Sequence, residues 1–213
     1  MKKSYSYIGI SFIILVFGIW AVPKILDRLS SPDLIYIERN GEKAKVPDFS
    51  FTDQNGNTIT NQDYEGKVYV VEFFFTTCPD ICIQMNENMV KIQDEFFGNP
   101  KVGIASFTID PAHDTPEVLK NYAKENGITK LQWHLLTGGR EDIFKLANEG
   151  FNLYVAAAAD GDRNFEHSGF FALIDQEGYI RSRIDEHDNP LVYYDGLEIK
   201  QIQMLKEDIR KLL

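Results

Sequence analysis

The chain has 213 residues, 44 % of them hydrophobic, enough for one domain with a sizeable core. Its formal net charge of -10, with no basic stripe, argues against nucleic acid as a partner, because phosphate binding needs a basic surface. Cys78 and Cys82 are the only two cysteines, so a structural disulfide framework is excluded and the pair reads as reactive or metal-binding.

Lys2 and Lys3 precede an apolar stretch, Tyr7 to Val22, interrupted only by Gly9, Ser11 and Gly18. With Tyr5 and Ser6 it nearly reaches the roughly 20 residues needed to cross a bilayer, so residues 1–23 are expected to form an N-terminal transmembrane anchor. Ala21-Val22-Pro23 makes no convincing small-x-small cleavage site, which favours an uncleaved segment. The positive-inside tendency puts Lys2 and Lys3 in the cytoplasm and the rest outside, although Lys24 and Arg28 pull the other way. Residues 24–45, mixed and charged, read as a tether, and residues 46–213 as the folded domain.

In that domain Val46 to Phe51 begins the fold, Asp53 to Gly56 reads as a turn, and a second short strand lies around Asn57 to Thr60. Val68 to Phe75, rich in β-branched and aromatic residues and too short for a globular helix, predicts a buried strand. It opens into the stretch VEFFFTTCPDICIQMNENM, in which Thr76 and Thr77 can cap a helix and Pro79 suits an early helical position. An α-helix would put Cys78 and Cys82, an i,i+4 pair, on one face. Such a pair can chelate one soft metal ion or close a disulfide, and the positive helix end favours a thiolate at Cys78. Copper(I) prefers thiolate and imidazole donors, so a third ligand is sought among the histidines.

The helix from about Pro79 carries Ile81, Met85, Met89 and Ile92 at near-helical spacing and ends by Phe97-Gly98. Met85 and Met89 on that stripe read as core, not as thioether ligands. Val102 to Ile109 predicts a second apolar strand, followed by the DPAHDT loop and a helix over Pro116–Glu125 with Thr115 as its cap and Asn126-Gly127 as its stop. Asp110 and Asp114 in that loop read as capping and loop-ordering groups. A short strand around Trp133 to Leu136, a turn at Gly138-Gly139 and a helix over Arg140–Asn148 come next. The triplet Asp160-Gly161-Asp162 lacks the later spacing of a calcium loop. Phe170–Ile174 and Tyr179–Arg183 predict a hairpin, and Leu197–Leu213 an amphipathic helix with Ile199, Ile202, Leu205 and Ile209 towards the sheet. Strands alternating with helices give an α/β fold with a central mixed sheet covered on both sides.

Of the four histidines, His167 is the best third donor: it ends a polar loop immediately before an apolar strand, where the sheet would hold it. His113, in the loop at the same sheet edge as the thiols, is kept as a group supporting the ligands from behind or as an accessory ligand; His134 reads as packed or hydrogen-bonded and His187 as solvated. Glu72 is the one ionisable residue in its apolar strand. Burial would raise its pKa and suit it to exchange a proton with the thiols, while the plainer reading pairs it with a Lys or Tyr and gives it no chemistry.

CPDIC, DPAHDTPEVLKNYA and EHSGFFALID, in that order, make the chain from Val46 onwards resemble the Sco/SenC/PrrC copper-binding proteins of the thioredoxin superfamily. The resemblance implies a thioredoxin-like fold and a copper ion held by Cys78, Cys82 and His167. It also implies delivery to the binuclear copper centre of cytochrome c oxidase, with the copper-receiving oxidase subunit as partner. A domain on the periplasmic side of a bacterial inner membrane is expected with it. Phe74 stands where the family usually has glycine, Ile83 where it has proline, and Glu166 where it has aspartate. The alternative is an extracytoplasmic thiol-disulfide oxidoreductase in which Cys78 attacks a partner disulfide and Cys82 resolves it. Glu72 supports that alternative, because its position resembles the buried acid of thioredoxin. A dithiol reductase has no need of His167.

Overall fold

A computed structural model describes residues 4–30, 34–153, 155–157, 165–185 and 189–213; at 155–157 and 165–167 it describes the backbone alone. The chain divides into two units, Met1–Asp33 and Leu34–Leu213. In the first, a helix α1 spans Ser4–Ser30. Among the described residues no helix is long and apolar enough to cross a membrane, so the expected transmembrane anchor over 1–23 finds no support there.

The second unit begins earlier than the sequence suggests. Strand β1 (Leu34–Tyr36) and a small hairpin of β2 (Glu38–Arg39) and β3 (Glu42–Lys43) lie in the stretch read as a tether. The Tyr36 ring is stacked between Lys43 Nζ at 3.6 Å and Arg181 Cζ at 3.9 Å. Cation-π contacts carry no hydrophobic periodicity, which is why this strand is invisible to pattern reading.

Then follow β4 (Ser50–Asp53), β5 (Thr58–Thr60), β6 (Val68–Phe74), α2 (Ile81–Glu95), β7 (Val102–Thr108), α3 (Pro116–Glu125), β8 (Trp133–Thr137) and α4 (Arg140–Lys145). The chain continues through β9 (Val155–Ala157), β10 (Phe165–His167), β11 (Phe170–Ile174), β12 (Ile180–Arg183), β13 (Tyr194–Asp195) and α5 (Ile199–Leu212). The main sheet runs in the order β1-β12-β11-β6-β7-β8-β4-β5, with β13 on β11. Pairs β6–β7 and β7–β8 are parallel, and the flanking pairs are antiparallel.

Every residue of β6 and β7 is buried, as a central parallel pair covered on both faces requires. Both strands end at the same edge, where the loops carrying CPDIC and DPAHDT begin; such an edge is where open α/β sheets hold ligands. Helix α5 buries Ile202, Leu205 and Ile209, but Ile199, expected inward, is 57 % exposed at the first position of the helix. Arg183 Nε donates to Asp208 at 2.6 Å and Tyr194 Oη to the same carboxylate at 2.7 Å, pinning α5 to the hairpin. The helix expected over Arg140–Asn148 turns into a π-helical segment at Leu146–Gly150, whose carbonyls at 149 and 150 accept from the Arg39 guanidinium.

Asp53 closes the turn between β4 and β5, accepting from the amides of Asn55 and Asn57, both at 2.8 Å. Burial pushes its carboxyl up, but the hydrogen bonds from Asn57, Asn55 and His134 outweigh this and hold it below its ordinary value of 3.8. Because the folded-state value is the lower one, the stabilisation is fully present above 3.8 and lost as pH falls through the folded value. Asp53→Asn is therefore expected to lose about 1 to 2 kcal/mol at pH 7, a gap from wild type that narrows in acid; urea titrations at both pH values check it.

Candidate metal centre

Strand β6 delivers the dithiol. Past Phe74 the chain leaves the sheet, the Cys78 amide donates to Phe75 O at 3.3 Å, and α2 starts only at Ile81 with Asp80 as its unassisted N-cap. Cys78 and Pro79 therefore lie in a loop ahead of the helix, so the expected pair of thiols on one helical face is not what brings the sulfurs together. The loop does: neither cysteine is in a disulfide, and their side chains are hydrogen-bonded to each other. Cys82 is 3 % exposed, whereas Cys78 is only partly covered. The bond to Cys78, then burial, pushes the Cys82 thiol far above the ordinary cysteine range, against a smaller opposing effect of the Phe75 backbone. The asymmetry between the sulfurs thus follows from their contacts and depth. Cys78 is the one an incoming group meets.

Glu72, 4 % exposed, sits beneath the thiols on β6. It accepts from Ser106, directly across on β7, whose Oγ donates to Oε1 at 2.6 Å. Ser106 accepts in turn from Trp133 Nε1 at 2.9 Å. Burial, and then the negative charges of Glu72, Cys82, Cys78 and Asp114, push the Tyr122 hydroxyl up, which places that residue within electrostatic reach of all four. Sequence reading misses Ser106, Trp133 and Tyr122. The only available signal was the register of β6 on β7, which a single chain does not reveal.

The loop after β7 is organised by Asp114, which is fully buried. Its carboxylate accepts from the Thr76 amide at 3.0 Å, from the hydroxyls of Thr76 and Thr108, and from His113 Nδ1 at 2.9 Å. Thr76, expected as a helix cap, instead fastens the thiol loop to its neighbour. Asp114 orders the loop as expected. Asp110 is also buried, and among the described residues its Oδ2 has no hydrogen-bond partner.

His167 ends β10, opposite Val155 of β9. Its backbone belongs beside the thiol loop for two reasons. Strand β11 pairs antiparallel with β6, Ala172 opposite Val71, so stepping back towards 167 leads to the end of β6 that carries Cys78. Gly169 packs against Ile81, the residue before Cys82: a Cβ built there would stand 3.7 Å from Ile81 Cδ1. The ring of His167 lies outside the described side chains. Among the described residues no three groups capable of holding a metal converge. His134 stands 3.3 Å from Asp53 and edge-on to Tyr64, a hydrogen-bonded histidine of the fold. Met85 and Met89 are core residues, 1 % and 0 % exposed. His187 and Asp160-Gly161-Asp162 lie outside the described residues.

The family model for SCO1/SenC matches residues 37–200. The chain belongs to the SCO1/SenC family. A relative named SCO1 protein homolog, from Bacillus subtilis strain 168, is 28 % identical over 166 residues, 76 % of this chain and 84 % of its own. BsSco, a member of the Sco family of cytochrome c oxidase assembly proteins in which a disulfide switch is identified, superposes with a TM-score of 0.67 at 25 % identity. That match covers 85 % of this chain and 96 % of BsSco. ScoI of Bradyrhizobium japonicum with copper bound gives a TM-score of 0.55 at 25 % identity, covering 80 % of this chain and all (100 %) of its own. The mixed sheet and its helices are accordingly the thioredoxin-like arrangement of this family.

Removing the carboxylate that ties the two family loops together is expected to loosen them. Asp114→Ala should cost about 2 to 3 kcal/mol, read by chemical denaturation, and the Thr76 amide should exchange with solvent faster than in wild type.

Proposed function

We propose that the chain is a copper chaperone for respiratory oxidase assembly. It holds copper(I) through Cys78, Cys82 and His167 and passes the ion to the binuclear copper centre of cytochrome c oxidase. The observation that carries this reading is the pair of mutually hydrogen-bonded thiols, not joined in a disulfide, at the sheet edge, beside which the chain bearing His167 returns. Two thiolates and an imidazole are a soft donor set suited to copper(I), whereas the acids nearby are poor donors for it. The copper bound to a related ScoI and the oxidase-assembly description of BsSco point the same way.

In this mechanism Cys78, the more accessible sulfur, receives the ion. Cys82 gives up its proton to solvent as the second bond forms, and His167 completes three-coordination. Release proceeds by ligand exchange, the receiving protein's donors replacing these one at a time.

The disulfide switch of BsSco favours a second reading, in which the dithiol itself is the reagent. Cys78 thiolate attacks a substrate disulfide and expels one substrate thiolate. Cys82 then attacks the mixed disulfide, releasing the second, so two electrons pass to the substrate and Cys78–Cys82 is left oxidised. In this reading Glu72, which accepts from Ser106 and acts electrostatically on Cys82, takes the Cys82 proton.

We further propose that α1 anchors the chain in a bacterial inner membrane with the domain on the periplasmic side. From Ile10 to Val22 its large apolar side chains are exposed around the helix, a pattern that calls for an apolar solvent. Washing membranes at alkaline pH should leave the full chain in the pellet and release a chain lacking residues 1–33.

Cys78→Ala, Cys82→Ala and His167→Ala are each expected to weaken copper(I) binding by at least about a hundredfold in competition with a chelator, because two donors remain where three are needed. Oxidising the wild-type thiols should abolish binding. His167→Ala should still reduce a model disulfide if the second reading holds; unchanged copper affinity in that variant would remove His167 from the ligand set.

A further inference from the structure

We propose that His113 is a transfer ligand for the copper cargo, its Nε2 taking the ion briefly from the thiols as it enters or leaves the site. The inference rests on the copper reading above and adds a residue to it. His113 lies in the turn between β7 and α3, and its side chain is 33 % exposed, whereas Cys82 is 3 % exposed. Cys82 is thus covered more fully than this imidazole, while Cys78, like the imidazole, is only partly covered.

The ring is already set up as a donor. Asp114, fully buried, has its carboxylate oxygens occupied by donors, the Thr76 amide and the hydroxyls of Thr76 and Thr108. Nδ1, 2.9 Å from that carboxylate, faces it as a further donor, which turns Nε2 away from the clamp as the nitrogen with a lone pair to offer. Among the described residues no hydrogen bond reaches Nε2. A carboxylate behind one ring nitrogen is how proteins orient an imidazole that binds metal through the other.

Placement adds the second half of the case. Thr76 donates to Asp114, stands 3.4 Å from His113 Nδ1, and precedes Cys78 by two residues, so the imidazole loop and the thiol loop are stitched together at one sheet edge. His134 also faces a carboxylate, but it does so from within β8 and not from the thiol-bearing edge.

In the transfer step a copper(I)–Nε2 bond forms while one copper–sulfur bond breaks, and the sulfur departs as a thiolate with its electron pair. Copper stays in the +1 state, and the Nδ1 hydrogen stays on the ring, held by Asp114. A donor of the receiving protein then displaces Nε2. Since the same intermediate serves entry and exit, its loss slows both directions equally and leaves the equilibrium affinity unchanged.

His113→Asn separates this role from a structural one, because the asparagine amide can replace the Nδ1 donor to Asp114 while supplying no Nε2. The full chain, reduced and loaded with one equivalent of copper(I), is mixed with excess bicinchoninate and transfer is followed by stopped flow, with affinity measured in parallel by competition. Transfer is expected to slow about tenfold or more in both His113→Asn and His113→Ala, with affinity unchanged within about threefold. Wild-type transfer rates in His113→Asn would overturn the proposal, including the case in which only His113→Ala is slow, since that marks a loop-holding role. A matching fall in affinity would overturn it too, by making His113 a resident ligand. A wild-type chain that takes up no copper(I) at the loading step removes the copper reading itself, a result distinct from either.

Discussion

One buried carboxylate holds the edge of the sheet together. Asp114 has no exposed surface, and burying an ionised carboxylate is tolerable only when its oxygens are occupied. They are occupied by donors from two loops, Thr76 on the thiol side and Thr108 and His113 on its own. Separating those loops would strand a charge in the interior. The dithiol therefore inherits its position from a residue that is neither a thiol nor a ligand to one.

Beneath that edge the parallel pair β6–β7 supplies rigidity and a second polar element. Glu72, Ser106 and Trp133 form a hydrogen-bonded line through three adjacent strands, so a charge-capable group is kept in the core below Cys82 without being left bare. Cys78 and Cys82 sit above it at different depths, and their mutual hydrogen bond favours the proton staying on the deeper sulfur. The two readings proposed above both begin at Cys78, the less covered sulfur.

Much of this was legible in the chain. The strands Val68–Phe74 and Val102–Thr108 announce themselves by continuous apolar runs, α3 by its Thr-Pro-Glu opening and Asn-Gly close, and the β11–β12 hairpin by its turn. The core placement of Met85 and Met89 and the loop-ordering part of Asp114 follow from spacing and loop chemistry alone. Less visible were features made by partners far away in sequence. Strand β1 depends on stacking with Arg181, and the π-helical end of α4 accompanies Arg39 across more than 100 positions. Cys78 misleads because Pro79 suits a helix start as readily as the loop ahead of one, and propensity does not choose between them.

The sequence by itself determined the inventory: two soft donors at close spacing, a histidine before a buried strand, an acid inside an apolar run, and a succession of elements that can only stack as a covered mixed sheet. Those are short-range properties, written in residue type and period. Only the tertiary structure decided who faces whom. Register on β6 and β7 put Ser106 against Glu72, the loop clamp aimed Nδ1 of His113 at a carboxylate, and burial made one thiol deep and its neighbour reachable. Hydrogen-bond direction and depth are properties of pairs brought together by folding, and a linear pattern has no place to record them.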